Sequence, residues 1–207
     1  MDAKAHWNVI YERRASSQLG WFQPHLRSSL DLISRAGLST SSPIIDIGGG
    51  DSTLVDDLIT QGYEDITVLD ISPAALARAK ARLGPNAERV HWIESDILQA
   101  ELPSRHYDLW HDRALFHFFI QEPSRAAYVE TLLASLAPRG AVILATFAPD
   151  GPSECSGLPT SRYGHQDFLH SFGHGFELEA SLHEDHTTPS GTLQRYAYAM
   201  IRSMHAA

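Results

Sequence analysis

The 207-residue sequence holds a single cysteine, Cys155. One thiol cannot close an intrachain disulfide, so the fold is expected to need no oxidising compartment, and a cytoplasmic setting follows as the default reading. Long apolar runs are missing as well. No stretch approaches the roughly 18 to 20 apolar residues of a membrane helix, and the opening Met1-Asp2-Ala3-Lys4-Ala5-His6 lacks the apolar segment of a signal peptide. Neither a leader nor a membrane partner is expected. Positive charge is scarce, with 16 Lys plus Arg against 25 Asp plus Glu and a net charge of −9. A protein that binds by neutralising many phosphates needs the opposite balance, which argues against nucleic acid as a partner. Internal repeats, heptads and low-complexity tracts are also absent. What is present is 43% hydrophobic residues, enough in a chain of this length to bury one sizeable core, so residues 1–207 are read as one domain.

From about residue 43 short apolar runs alternate with amphipathic stretches, the pattern of an α/β fold with a parallel sheet covered by helices on both faces. Strands are predicted at Pro43 to Ile47, Ile66 to Leu69, Val90 to Ile93, Tyr107 to His111 and Ala141 to Phe147. Between them, Ser52 to Ile59 carries Leu54, Val55, Leu58 and Ile59 at helical spacing, and Ser72-Pro73 opens a helix as cap and first-turn proline. Glu122-Pro123-Ser124 starts a longer helix through Tyr128, Leu132 and Leu136, with Pro138-Arg139-Gly140 as its stop. After a Gly/Pro/Ser-rich loop from Ala148 to Tyr163, a short helix near His165 to Phe172 is followed by Phe176 to Glu184 and Leu193 to Arg202, two strands joined as a hairpin. Residues 1–42 read as a helical arm with aromatic punctuation, a lid over the core at 43–203.

Ligands of such a sheet bind beyond the carboxyl ends of its strands, where strand order reverses. Gly48-Gly49-Gly50 lies there, able to turn tightly and let a ligand approach where a Cβ would collide. Asp70 ends the second strand, where a carboxylate can accept both hydroxyls of a ribose; Asp96 follows the third, and Asp46 precedes the glycines. A dinucleotide fold shares these features, but its third fingerprint glycine is Thr53 here. Asp46 and Asp51 flanking the turn would also repel a pyrophosphate and favour a cationic ligand such as a sulfonium.

Asp46-Ile47-Gly48-Gly49-Gly50, Asp70-Ile71-Ser72, Ser95-Asp96-Ile97 and Tyr107-Asp108-Leu109-Trp110-His111-Asp112 together resemble the successive motifs of class I S-adenosylmethionine-dependent methyltransferases. The resemblance covers about residues 43–203 and implies a Rossmann-like, doubly wound, seven-stranded sheet, mostly parallel, with the terminal hairpin as sixth and seventh strands. It implies S-adenosyl-L-methionine as cofactor. The turn at Gly48 to Gly50 would hold its methionine part, Asp70 with Ile71 and Ser72 the ribose side, Asp96 and Ile97 the adenine, and His111 would lie near the sulfonium. His6-Trp7-Asn8-Val9-Ile10-Tyr11 and Gly20-Trp21-Phe22 are similar to the arm of a branch that contains thiopurine and other thiol methyltransferases and certain lysine methyltransferases. In that branch aromatic residues of the arm close over the cofactor, which gives Trp7, Tyr11, Trp21 and Phe22 that role. The Asn/Asp-Pro-Pro-aromatic tetrapeptide of many amide and adenine methyltransferases is absent after the fourth strand.

Methyl transfer from a sulfonium is an in-line displacement that needs alignment and exclusion of water more than a nucleophilic side chain. Asp112 and Arg113 are the candidates for positioning the substrate, with an ion pair to Asp112 or a surface acid as the alternative for Arg113. His117 and Tyr163 are candidates for the substrate pocket, although a histidine among Leu115, Phe116, Phe118 and Phe119 also suits simple packing. Cys155 sits on the expected active-site loop, and no metal is expected at His183-Glu184-Asp185-His186, whose spacing does not match helical ligand geometry. Three functions remain open at this level: methylation of a small molecule, with a thiol or other soft nucleophile favoured; methylation of protein lysine; and a non-catalytic S-adenosylmethionine-binding regulatory module.

Overall fold

A computed structural model describes residues 2–173 and 175–204. The first strand, β1 (Ile44–Ile47), and the second, β2 (Ile66–Asp70), are buried along their whole length, as central parallel strands must be. β3 (Val90–Glu94) pairs outside β2, and the chain then returns to place β4 (Tyr107–Arg113) on the other side of β1. This reversal opens a crevice at the ends of β1 and β4. β5 (Leu136–Phe147) follows β4 in parallel, and two residue pairs, β6 (Glu154–Cys155) and β7 (Leu158–Pro159), form a separate small hairpin. The long strands β8 (Phe176–Thr187) and β9 (Leu193–Ser203) complete a seven-stranded sheet of order β3-β2-β1-β4-β5-β9-β8, antiparallel only at β5–β9 and β8–β9.

Alternation along the strands divides the apolar residues between two faces. Ile44, Leu109, Ile143 and Ala145 meet α2 (Arg27–Arg35), α3 (Leu54–Thr60) and α4 (Pro73–Leu83) through Leu32, Leu58 and Leu76. Ile45, Trp110, Val142 and Leu144 meet α5 (Glu122–Ser135) and α6 (His165–Phe172) through Tyr128, Leu132 and Phe168. The N-terminal helix α1 (Ala3–Arg13) docks on neither core. It packs beside α4, with Tyr11, Leu19 and Ala75 in a cluster bordered by Trp7, Trp21 and Phe22. Asn8 fastens it: its carbonyl oxygen accepts the Ala74 N–H at 3.0 Å and the Ser72 hydroxyl at 3.2 Å, two donors at the start of α4.

The predicted strands and helices are present with shifted boundaries, β4 runs on to Arg113, and the expected loop after β5 holds the β6–β7 hairpin. α5 stops at Ser135 and β5 begins at Leu136, before the expected Ala141, because Pro138 forces Ala137 out of helical backbone and Leu136 already pairs with Tyr107. The register shift between Tyr107 and Leu109 absorbs the extra residues. The terminal hairpin is longer than expected, reaching Thr187 and Ser203. Among the described residues no helix is long and apolar enough to cross a membrane.

Candidate functional site

The turn after β1 leaves no room for side chains. Gly48 and Gly50 have φ of +66° and +47°, a region glycine enters without strain. A Cβ on Gly50 would lie 2.8 Å from both Asp70 Oδ2 and the Tyr11 hydroxyl, and one on Gly49 only 2.5 Å from Asp46 Oδ2. The acids nearest this turn are satisfied by the protein itself. Asp46 Oδ1 lies 2.7 Å from His111 Nδ1, and His111 Nε2 lies 2.8 Å from the Ser29 hydroxyl. Asp51 takes the Ser16 hydroxyl and the Arg82 guanidinium, the latter at 2.5 Å. Two expectations are thereby corrected. Asp46 and Asp51 are engaged by the protein's own donors, and His111, wholly buried opposite Asp46 in the strand register, braces β1, β4 and α2 and lines, with both acids, a smaller cavity behind the turn.

Beside the turn opens a cavity of about 310 Å³. One end is lined by Asp70, Ile71, Ser95, Asp96 and Ile97 at the tips of β2 and β3. Asp70 Oδ1 accepts the Ser72 N–H at 2.7 Å. Burial pushes this carboxyl up to about 7, the charge of Asp46 adds to the rise, and the Ser72 N–H opposes it. Asp96 Oδ1 accepts the Leu98 N–H at 3.0 Å. Ser72 is buried and works as the cap of α4, its hydroxyl accepting the Ala75 N–H at 3.2 Å.

Aromatic and aliphatic groups line the other end. Trp7 meets the edges of Trp21 and Phe118 at ring separations of 5.8 and 5.2 Å. Leu115 and Phe119 continue the wall, and the small β6–β7 hairpin adds Cys155, Leu158 and Pro159. Arg113 is the cation in this wall. Its Nε donates to the Tyr198 hydroxyl at 2.9 Å, Nη1 to the Trp21 carbonyl at 3.0 Å and Nη2 to Glu184 at 3.4 Å, while the guanidinium lies 4.6 Å over the Tyr196 ring. Burial pushes the Cys155 thiol up to about 11.

The remaining sequence candidates fall elsewhere. Asp112 points inward, where its carboxylate accepts the Leu115 and Phe116 N–H groups and, at 2.7 Å, the Tyr128 hydroxyl; it shapes the loop after β4 rather than touching the cavity. Burial, only partly offset by these donors, holds it at about 6. Arg113 therefore pairs with Glu184 and not with Asp112. His117 is buried behind the wall, both ring nitrogens without a partner, and is driven down to about 3 by burial and then by Arg113. Tyr163 lies on the far side of Phe116, stacked on Phe168 at 5.4 Å and bordering a surface groove between α5 and α6. Phe22 lines a smaller cavity of about 40 Å³ behind the glycine turn. The stretch from His183 to His186 is dispersed, with Glu184 on Arg113, Asp185 on Arg195 and His186 on the Gly20 carbonyl; no group of three or more metal-ligating side chains occurs among the described residues. Sequence reasoning gave no site role to Phe118, Phe119, Leu158 and Pro159, which line the cavity, or to Glu184, which pairs with Arg113 from β8; the hairpins that carry the last three are positioned by no local signal.

A family model described as a methyltransferase domain matches residues 44–140, the stretch that builds β1 to β4 and the cavity's polar end. This stretch is similar to methyltransferase domains, in agreement with the resemblance carried by its motifs. The chain is 30% identical to an uncharacterized methyltransferase of Schizosaccharomyces pombe over 60% of its own length and 44% of that protein. It is 24% identical to the eEF1A lysine and N-terminal methyltransferase of Mus musculus over 52% of its length, but spans only 15% of that relative. The chain thus covers less than half of either protein. A SAM-dependent methyltransferase from Anabaena variabilis shares the methyltransferase fold with a TM-score of 0.74, 16% identity and coverage of 98% and 96% of the two chains. The residues fit the cofactor of such enzymes: the glycine turn keeps side chains away from the cavity's edge at Gly48, and the Asp70 carboxyl, with Oδ1 on the Ser72 N–H, lines the cavity beside it.

Proposed function

We propose that the chain binds S-adenosyl-L-methionine in this cavity and transfers its methyl group to a small-molecule acceptor, a thiol or another soft nucleophile. The observation that carries the reading is the pairing of a buried Asp70 carboxyl with a side-chain-free Gly50 turn at one end and an apolar aromatic wall at the other. Asp70 accepts the ribose hydroxyls, Asp96 the adenine amino group, and Ile71 and Ile97 pack on the ring. Gly48 to Gly50 admit the methionine part, and Trp7, Tyr11 and Trp21 of the arm cover it, making residues 1–42 and 43–203 lid and core of one domain. When bound, the cofactor supplies an electrophilic methyl carbon with a neutral thioether as leaving group. The protein's task is to align the acceptor and exclude water, which the Trp7, Phe118 and Phe119 wall performs.

A small acceptor is favoured because the arm and the β6–β7 hairpin both border a cavity of about 310 Å³, which the cofactor must share. The lysine-methylating relative supports protein lysine as a second reading, though the segment in common is a small part of that protein. The same compartment reading, a reducing cytosol, suits the unpaired Cys155. Calorimetry with S-adenosylhomocysteine tests the pocket: Asp70→Ala should weaken binding by about 10- to 100-fold, the loss of hydrogen bonds to a charged acceptor. Unchanged affinity in that variant would refute the assignment. A methyl-release screen over thiols, amines, carboxylates and basic peptides then identifies the acceptor, and silence throughout would point to the regulatory module.

A further inference from the structure

We propose that His186, near the end of β8, is a positioning residue: by donating to the Gly20 carbonyl it holds Trp21 in the cavity wall, and a second proton on its ring releases that hold. This rests on the cavity being the cofactor site and adds to it a side chain that lines no part of it. Residues 19–26 of the arm run between the 3-10 turn Ser16–Gln18 and α2 and form neither helix nor strand. Their carbonyls are left for other elements to hold. His186 Nε2 on β8 lies 2.8 Å from the Gly20 oxygen, Arg113 Nη1 on β4 donates to the Trp21 oxygen at 3.0 Å, and the Thr53 hydroxyl beside α3 donates to the Gln23 oxygen at 2.9 Å. Trp21 sits within this span. Its indole lines the cavity, meets Trp7 edge-on at 5.8 Å and donates to the Tyr11 hydroxyl. Of the three donors, Arg113 stays charged and a threonine does not titrate, so His186 is the one that can change state.

One arrangement of protons satisfies the whole group. Burial alone would raise the Glu184 carboxyl, but Arg113, with hydrogen bonds from Ser28 and Gln23, holds it below its usual range. A carboxylate only accepts, so the Gln23 atom 2.6 Å from Glu184 Oε1 is the amide nitrogen. That nitrogen also lies 3.3 Å from His186 Nδ1, and its second N–H makes the ring atom an acceptor. The single ring proton therefore sits on Nε2, facing the Gly20 carbonyl. The charge of Glu184 thus sets the tautomer of His186 through Gln23. A second proton breaks the chain, because Nδ1 becomes a donor against the Gln23 N–H and an imidazolium stands near the Arg113 guanidinium. The ring must then turn from Gln23, and the Gly20 carbonyl loses its donor. The groups around the ring are Glu184 on its own strand, Arg113 from β4, Gly20 and Gln23 from the arm, and Tyr196 from β9 at a ring separation of 6.2 Å. Burial, with the charge of Arg113, holds His186 below its ordinary value against the pull of the Gly20 carbonyl and Glu184. The holding form is therefore the neutral one, and acid loosens the arm.

The test labels the full chain with 5-fluorotryptophan and follows the fluorine signal of Trp21, assigned by its loss in Trp21→Phe, together with the His186 ring nitrogens from about pH 4.5 to 8. At the upper end His186 should carry its proton on Nε2. On acidification the Trp21 signal should shift with the midpoint of the His186 ring, below the ordinary 6.5. Gln23→Met removes the donor at Nδ1 and should move both midpoints upward together. His186→Gln, whose amide can still donate to Gly20, should abolish that step and keep any step near 7 contributed by Asp70; His186→Ala should leave the signal at its acid position throughout. At about pH 7.5, S-adenosylhomocysteine should bind His186→Ala about 3- to 10-fold more weakly than the unaltered chain, and His186→Gln should restore affinity to within about twofold. A Trp21 signal indifferent to the His186 titration, a proton on Nδ1 instead of Nε2, or unmoved midpoints in Gln23→Met would each overturn the proposal. If His186→Ala does not fold, the Gln23→Met midpoints decide. Failure of S-adenosylhomocysteine to bind the unaltered chain would instead refute the cofactor site, whereas the titration of the ligand-free chain still decides whether His186 positions Trp21.

Discussion

The two ends of the cavity are built by different means. The polar end, the proposed nucleoside end, comes from consecutive strand tips, Gly48, Asp70 to Ile71 and Ser95 to Ile97, with its carboxylates held by backbone N–H groups two residues away. The apolar end, the proposed acceptor end, is assembled from Trp7, Trp21, Arg113, Phe118, Cys155 and Leu158, and its cation is fixed by residues 71 to 92 positions distant. The first end depends on backbone shape and local hydrogen bonds. The second depends on how the arm and two hairpins pack against the sheet, so it can vary without disturbing the first.

The sharpest way to break this contrast is Gly50→Ala. The added Cβ meets Asp70 Oδ2 and the Tyr11 hydroxyl at 2.8 Å, in a backbone region alanine resists. Affinity for S-adenosylhomocysteine should fall more than about 100-fold while the circular dichroism spectrum is kept. A variant that binds normally would show that the turn tolerates bulk and that the nucleoside end is not set by backbone shape.

Asp70 gives the next largest effect, with opposite signs in stability and binding. Its carboxyl is raised from 3.8 to about 7 by burial, so the stability it contributes is complete below 3.8 and is lost as the pH climbs through about 7. Asp70→Asn should therefore raise the melting temperature above pH 7.5 by several degrees, about 2 to 4 kcal/mol at most, and leave it unchanged near pH 4. Ligand hydroxyls donate to the ionised form, so cofactor affinity in the unaltered chain should weaken as the pH drops below about 7, by at most about tenfold per unit. Calorimetric titrations from pH 5.5 to 8.5 read both trends, and a flat binding profile would remove Asp70 from the ligand.

Asp112→Ala should separate the ends in another way. It frees the Leu115 and Phe116 N–H groups and the Tyr128 hydroxyl from their acceptor, costing about 2 to 4 kcal/mol in denaturant unfolding. Cofactor affinity should change less than about threefold, because the residue touches only the loop beneath the acceptor end. A large loss of affinity with stability intact would return Asp112 to the site.

The same contrast explains what the sequence made legible. Strand, glycine turn, acid and helix cap are neighbours in the chain, and their chemistry is short-range, so the sheet, the Gly48 to Gly50 turn and the places of Asp70 and Asp96 could be read directly. Direction of side chains could not. His111 and Asp112 are adjacent on β4 and so point to opposite faces, yet both are consumed inside the protein, by Asp46 and Ser29 on one side and by Tyr128 on the other. Arg113 has its carboxylate on β8, and Leu158 arrives on a hairpin of two-residue strands; neither follows from periodicity or spacing.

Tyr163→Phe is the smallest change and marks where the acceptor end stops. The residue comes soon after the β6–β7 hairpin in sequence, yet Phe116 stands between it and the β4 loop, and its ring stacks on Phe168 in the core under α6. Removing the hydroxyl keeps that stacking, so stability should shift by less than about 0.5 kcal/mol and kcat/KM should be unaltered. Phe118→Ala should by contrast raise the acceptor KM by opening the edge-on contact with Trp7 at 5.2 Å. Equal kinetic effects of the two substitutions would mean that the acceptor reaches past Phe116 toward α6, and that the boundary drawn by the cavity walls is misplaced.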